Sequence, residues 1–141
     1  MRLPCIVLCL LTLTACTSFR TDPENLDPVP AERLFGWQEA GEATSELIVD
    51  RDIGMLGGGC YVAFQIDRQL AARIAIGEVA SFRVPAGEHI VGITIDTQGE
   101  VLCHKGRLQR ELRIQAEAGQ RLHLRIVSEA KTGFGLLLDP R

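Results

Sequence analysis

Hydrophobic and polar positions alternate over most of this chain, and the alternation predicts strands. Val62, Phe64 and Ile66 share one face, with Tyr61, Ala63 and Gln65 on the other. Residues two apart share a face only where the chain is extended. Leu70, Ala72, Ile74 and Ile76 continue at the same period after a turn at 67–69, so the two runs read as a hairpin. Phe82 and Val84 point inward between Ser81 and Arg83. Leu108, Leu112, Ile114 and Ala116 oppose Gln109, Glu111, Arg113 and Gln115, and Leu122, Leu124 and Ile126 alternate with Arg121, His123 and Arg125. Arg110 falls on an apolar face. A buried charge is costly without a partner, so Arg110 is expected near a strand end or against a carboxylate.

Other stretches complete the pattern. Residues 46–50 are short, β-branched and bounded by turn residues. Residues 90–95 are nearly all apolar, as in a central strand covered on both faces. Residues 133–138 add a final strand. Residues 33–38 are read as a first strand, with Trp37 as a core or rim residue rather than a ligand platform. Pro85-Ala86-Gly87 suits a type I turn. Ala86-Gly87-Glu88-His89 is echoed by Ala118-Gly119-Gln120-Arg121, read as shared hairpin chemistry rather than a solenoid repeat. Short strands at regular spacing, without a long amphipathic helix, predict an all-β fold: a single β-sandwich, Ig- or transthyretin-like, over residues 31–141.

The first thirty residues follow a different pattern. Met1-Arg2 is basic, and Ile6 to Leu11 is an apolar run far shorter than the ~20 residues a membrane-spanning helix needs. That order is the pattern of a secretory signal peptide. Leu13-Thr14-Ala15-Cys16 closes it and resembles the lipobox of bacterial lipoproteins. The resemblance implies a signal peptide over 1–15, removed by cleavage, and lipidation of Cys16. The plain alternative is a secreted protein in which Cys16 is incidental. More than one acyl chain makes attachment stable, so the membrane becomes a partner through Cys16. Thr17, in place of a retaining aspartate, favours the periplasmic face of the outer membrane by analogy with the class. Residues 16–30 carry Pro23, Pro28 and Pro30 among polar residues and are read as a lipidated cysteine and flexible linker.

Charge and cysteines narrow the classes. The net charge is −3 and no basic run occurs, so nucleic-acid binding has no electrostatic basis. Cys5 and Cys9 fall in the signal segment and Cys16 is read as lipidated, which leaves Cys60 and Cys103 as an even pair in an exported chain; such pairs usually form a disulfide. A metal site of Cys60, Cys103 and His104 is the alternative, disfavoured because adjacent residues rarely ligate one ion and no CxxC spacing exists. No cofactor motif is present. Gly57, Gly58 and Gly59 lack the lysine and following helix of a phosphate-binding loop and are read as a flexible loop.

Together, Arg51-Asp52-Ile53-Gly54, Gly59-Cys60-Tyr61, Ile66-Asp67, Leu70-Ala71-Ala72-Arg73-Ile74, Gly77-Glu78, Pro85-Ala86-Gly87-Glu88-His89 and Leu102-Cys103 resemble a small bacterial lipoprotein family of unknown function. Its β-rich domain is distantly similar to PEGA-type modules. The resemblance spans residues 31–139 and implies a fold but no chemistry. The turn Asp67-Arg68-Gln69 departs from the Asp-Gly often seen there, against a tight type I′ turn.

No nucleophile with a positioned base is apparent: Ser45, Ser81 and Ser128 lack elbow glycines, and His89 and His123 are read as solvated surface residues. Asp50 and Asp52 flank Arg51 on one strand face. They suit a cation or an acid/base pair, or a charged edge that blocks strand addition. The sequence thus points to a non-enzymatic envelope interaction or structural module with an unidentified envelope protein partner. Asp50, Asp52, Gly57, Gly58 and Gly59 are its candidate interaction surface. The alternative is a binder or hydrolase of envelope glycans or small ligands.

Overall fold

Each long period-two run becomes a strand. The computed structural model describes residues 18–54, 59–99, 101–104, 107–129 and 133–140. Its strands are β1 (Asp27–Pro28), β2 (Thr44–Arg51), β3 (Val62–Ile66), β4 (Gln69–Ile74), β5 (Glu78–Pro85), β6 (Gly87–Ile95), β7 (Gln109–Ala116), β8 (Arg121–Glu129) and β9 (Gly133–Asp139). They form two sheets, ordered β1-β5-β2-β8-β9 and β4-β3-β6-β7. The fold is an all-β sandwich.

The core lies between the sheets. Leu47, Val49, Phe82, Val84, Leu124 and Ile126 of the first sheet meet Val62, Phe64, Ile66, Ile74, Val91 and Ile93 of the second, all at most 2% exposed. The rings of Phe64 and Phe82 stack with centroids 5.4 Å apart. Each such side chain contributes about 1.5–3 kcal/mol on burial. The alternation is clear in β5, where Ala80, Phe82 and Val84 are buried between the exposed Ser81, half-buried Arg83 and exposed Pro85.

The connections differ from the sequence expectation in two places. β3 and β4 do form the expected hairpin. The two Ala-Gly turns, however, are not hairpins. Pro85 to Gly87 carries the chain from β5 in the first sheet to β6 in the second, and residues 117–120 carry it back from β7 to β8. Gly119, at φ +76°, takes the left-handed backbone that this second crossing requires. Both turns cross between sheets although their composition suits a hairpin, so composition does not reveal which sheet the next strand joins.

Residues 33–38 form no strand. A single 3₁₀ turn, Ala31–Arg33, is followed by one bridge from Leu34 to Ala72. Trp37 then adopts φ 57°, which breaks the extended chain. Its carbonyl accepts from the Arg83 N–H at 2.6 Å, and Trp37 packs against the rim of the core.

The described part of the expected linker, from residue 18 to 30, lies against the sandwich instead of extending from it. Phe19 bridges Ile53, with amide-to-carbonyl distances of 2.7 and 3.0 Å. β1 pairs in parallel with β5, and Val29 is 6% exposed within the core. The prolines do not prevent this, since a two-residue strand at a sheet edge tolerates a missing N–H. Cys16 and the expected signal peptide over 1–15 lie outside the described residues.

Candidate functional site

The polar residues of greatest interest sit where β2 ends. Leu47, Val49 and Arg51 share its core-facing period, and Asp50 and Asp52 take the other face. The strand carries its charges from the sheet surface into the sandwich.

Asp50 and Asp52 are not an exposed edge, contrary to the sequence reading. They are 4% and 2% exposed. β2 is flanked by β5 and β8, so it has no free side, and the N-terminal segment closes over the outer face. Arg125 holds Asp52 with two contacts, 3.3 and 2.6 Å, and Ser18 Oγ donates to the same carboxylate at 3.1 Å. Arg20 pairs with Asp139 beside them. Burial pushes the Asp50 carboxyl up and the Asp52 charge adds to the rise, against the pull of Arg20 and Arg125.

Arg51 points inward and is 1% exposed. It donates to the carbonyls of Cys60 and Ile74, both at 2.8 Å, and its guanidinium lies 5.0 Å from the Phe134 ring centroid. Burial lowers its pKa to about 10, against the raising influence of Glu78. It therefore remains a cation at neutral pH and holds the ends of β2 and β4 to the residue that opens the second sheet.

That residue is bridged. Cys60 and Cys103 form a disulfide across a sequence separation of 43, with Cα atoms 5.6 Å apart. It ties the 3₁₀ turn Val101–His104 to the start of β3. No group of three His, Cys, Asp or Glu side chains suited to a metal ion occurs among the described residues. Gly59 is exposed, while Gly57 and Gly58 lie outside the described residues.

Next to the disulfide lies a cluster the sequence reading did not assemble. Tyr61 is stacked between two guanidiniums, Arg33 at 4.5 Å and Arg73 at 4.7 Å from its centroid. Arg33 grips Glu78 at 2.8 and 2.5 Å, and Arg73 grips Asp96 at 3.0 and 2.7 Å. An open cleft of about 300 Å³ runs past Gly59, Tyr61, Arg73, Asp96 and Cys103. Both cations are neutralised by carboxylates, so the cluster acts as a brace. The members, Arg33, Tyr61, Arg73, Glu78 and Asp96, are 5 to 63 residues apart in sequence, and no local pattern signals them.

The histidines divide. His123 is half-buried on β8, whereas His89 is 9% exposed and not the solvated residue expected. Its ring meets Asp67 Oδ2 at 2.8 Å and the Pro85 carbonyl at 2.7 Å. Arg110 is exposed near the start of β7, at a strand end as its charge demands.

A second open cleft lies at the opposite end of β2. It measures about 550 Å³ and is lined by Trp37, Gln38, Glu39, Glu42 and Arg83.

No family model, curated protein or solved structure matches this chain. Among the described residues no helix is long and apolar enough to cross a membrane. The fold and the placement of side chains are therefore the basis for a functional reading.

Proposed function

We propose that this chain is a non-enzymatic envelope lipoprotein of the bacterial lipoprotein type its sequence resembles, held at the periplasmic face of the outer membrane through Cys16, and that it presents a sheet edge to a protein partner. The observation that supports this reading is β9. Three of the four sheet edges are protected. β1 is two residues long, β4 is bridged by Leu34 and by the Phe35 N–H to the Ala71 carbonyl, and β7 alternates Arg110, Glu111 and Arg113 with its apolar positions. β9 reads Gly-Phe-Gly-Leu-Leu-Leu-Asp, pairs only with β8, and leaves Leu137 and Leu138 46% and 49% exposed. Such an edge suits addition of a strand from another protein.

A photo-cross-linking residue at Leu137 in living cells tests the reading. One recurrent adduct, lost when Leu136 is replaced by proline, is expected. A site at Glu88, on an exposed stretch of the other sheet, serves as control. An identical adduct pattern from both sites counts against an edge-specific partner.

A second reading, binding of envelope glycans, is favoured by the Trp37 cleft. An aromatic ring beside carboxylate, amide and guanidinium groups suits a sugar ring. Trp37 is the only tryptophan, so its intrinsic fluorescence reports directly. A saturable change on titration with soluble cell-wall saccharides supports this reading, and a flat titration removes it.

A further inference from the structure

One end of the sandwich gathers exposed apolar side chains around the point where the chain leaves toward Cys16. Phe19 is 70% exposed, Ile53 46% and Leu102 75%. The Phe19–Ile53 bridge extends β2 beyond Arg51. Leu102 lies in the turn that the disulfide ties to Cys60, whose carbonyl accepts from Arg51. All three therefore cap the same end, where β2 finishes and β3 begins. Among the described residues the other exposed large apolar side chains are Phe35, beside the β4 edge, and Leu137 and Leu138, on the β9 edge level with Asp50 and Val49 of β2.

Chain length outside the described residues decides what covers this end. Phe19 lies three residue steps after Cys16, with Thr17 and Ser18 between them. At full extension these steps span roughly 10–11 Å. An acyl chain on Cys16 holds that residue at the headgroup level, and the backbone hydrogen bonds at Phe19 leave no longer tether. An apolar residue seated in the interface sinks roughly 5–10 Å into the headgroup and acyl boundary. Phe19 is thus within reach of that boundary whenever Cys16 is anchored.

We propose that this end of the sandwich rests on the lipid surface, with Phe19, Ile53 and Leu102 seated in the bilayer interface and the Trp37 cleft directed away from it. The proposal rests on the lipid-anchor reading of Cys16. It replaces a domain held off the membrane on a flexible stalk with one docked in a fixed orientation. The contact is apolar rather than electrostatic, because the exposed charges that follow Phe19 are of mixed sign: Arg20, paired with Asp139, then the acidic Asp22 and Glu24. A zwitterionic surface therefore suffices. Trp37 marks the far end: its carbonyl meets Arg83 near the Thr44–Pro85 pairing, whereas Ile53 lies beyond the Asp50–Val79 pairing. The strand between those ends spans roughly 20–25 Å at 3.2–3.4 Å per residue.

The full chain, isolated with its native N-terminus, is reconstituted into phosphatidylcholine vesicles carrying bromine on the acyl chains. Tryptophan emission is read for three proteins: the parent with Trp37, Ile53→Trp in a Trp37→Phe background, and Leu102→Trp in the same background. The probes at 53 and 102 are expected to shift to the blue and lose roughly half their emission, as for rings at the acyl boundary, while Trp37 is unquenched. The exposed Leu102 site serves if the Ile53 variant does not fold. Probes at both sites quenched no more than Trp37 overturn the proposal, and a blue shift without quenching overturns it too, by identifying a contact between copies instead. Mass analysis of the Cys16 peptide separates the two readings. An acylated, vesicle-bound chain with unquenched probes refutes only the docking, whereas quenched probes on a chain without acyl groups retain the docking and refute the anchor.

Discussion

His89 Nδ1 lies 2.8 Å from Asp67 Oδ2 and links the β3–β4 turn to the strand that leaves the β5–β6 crossing. On the other side of the ring, Nε2 lies 2.7 Å from the Pro85 carbonyl. Both nitrogens therefore face acceptors, and only the imidazolium donates to both.

Burial pulls the His89 pKa down, but the Asp67 hydrogen bond and the Pro85 carbonyl outweigh it and raise it above 6.5. Burial likewise pushes Asp67 up, but hydrogen bonds from His89 and the Ile90 N–H bring its carboxyl below 3.8. A raised histidine stabilises fully below its unfolded pKa, and that contribution disappears as pH rises through the folded value. The lowered carboxyl stabilises above its unfolded pKa, and that contribution disappears as pH falls through the folded value. The pair is therefore strongest between about pH 4 and 6.5. Asp67 is 44% exposed on its side chain, so solvent screening limits the effect to about 0.5–1 kcal/mol. Urea unfolding at pH 5.5 and 8.5 is expected to show that loss in the parent and a smaller one in His89→Asn. An equal loss in both assigns the pH dependence elsewhere.

Arg68→Gly is expected to stabilise. Asp67 and Arg68 both have positive φ, 50° and 62°. Two such residues joining β3 to β4 make a type I′ turn, against the sequence expectation. Asp67 tolerates the left-handed region and is held by His89; Arg68 is strained there by about 1 kcal/mol. Losing its exposed ion pair with Glu111, at 3.2 Å, removes at most about 0.5 kcal/mol. A net gain of about 0.5 kcal/mol in chemical denaturation is expected. A loss exceeding that amount assigns Arg68 a larger stabilising role.

Asp50→Asn and Asp52→Asn are expected to act in opposite directions. Asp50 is a buried carboxylate beside another negative charge, so neutralising it stabilises at pH 7, on the order of 1 kcal/mol or a few degrees in Tm. Its raised pKa means that the gain vanishes in acid, where the native carboxyl is already protonated. Asp52 is the partner of the largely buried Arg125. Removing its charge weakens both contacts from Arg125 and costs about 1.5–3 kcal/mol, the range for hydrogen bonds to charged groups. Thermal melts of the two variants at pH 7 and pH 4 check both signs.

Replacing Cys60 and Cys103 by serine removes a cross-link whose loop is worth about 4 kcal/mol in chain entropy. The same change frees the Cys60 backbone that accepts from Arg51. A fall in Tm is expected for the double variant, reproduced in the parent by reductant. An unchanged melt under reduction indicates that the bridge adds nothing to the folded state.

The strands were largely legible because burial on one face forces period-two alternation. Phe64, Leu124 and Ile114 all fall where that period places them. Arg51 was also within reach, as it continues the spacing of Leu47 and Val49. Its neighbours Asp50 and Asp52 instead suggested an exposed face, because alternation shows which face a residue takes and not what covers that face. The segment over them, from Ser18 to Arg20, is polar in composition and reads as a tether when considered alone.

Local sequence determined the extended runs, the turn positions and the pairing expected of Cys60 and Cys103. These depend on residue types at fixed short spacings, where sterics and amphipathicity act. Tertiary structure alone decided that the Ala-Gly turns change sheets, that Tyr61 is stacked between Arg33 and Arg73, that His89 is locked by Asp67, and that Phe19 joins the end of β2. Each of these joins residues far apart in the chain, and their energies come from desolvation and charge pairing that exist only after the two sheets have closed on each other.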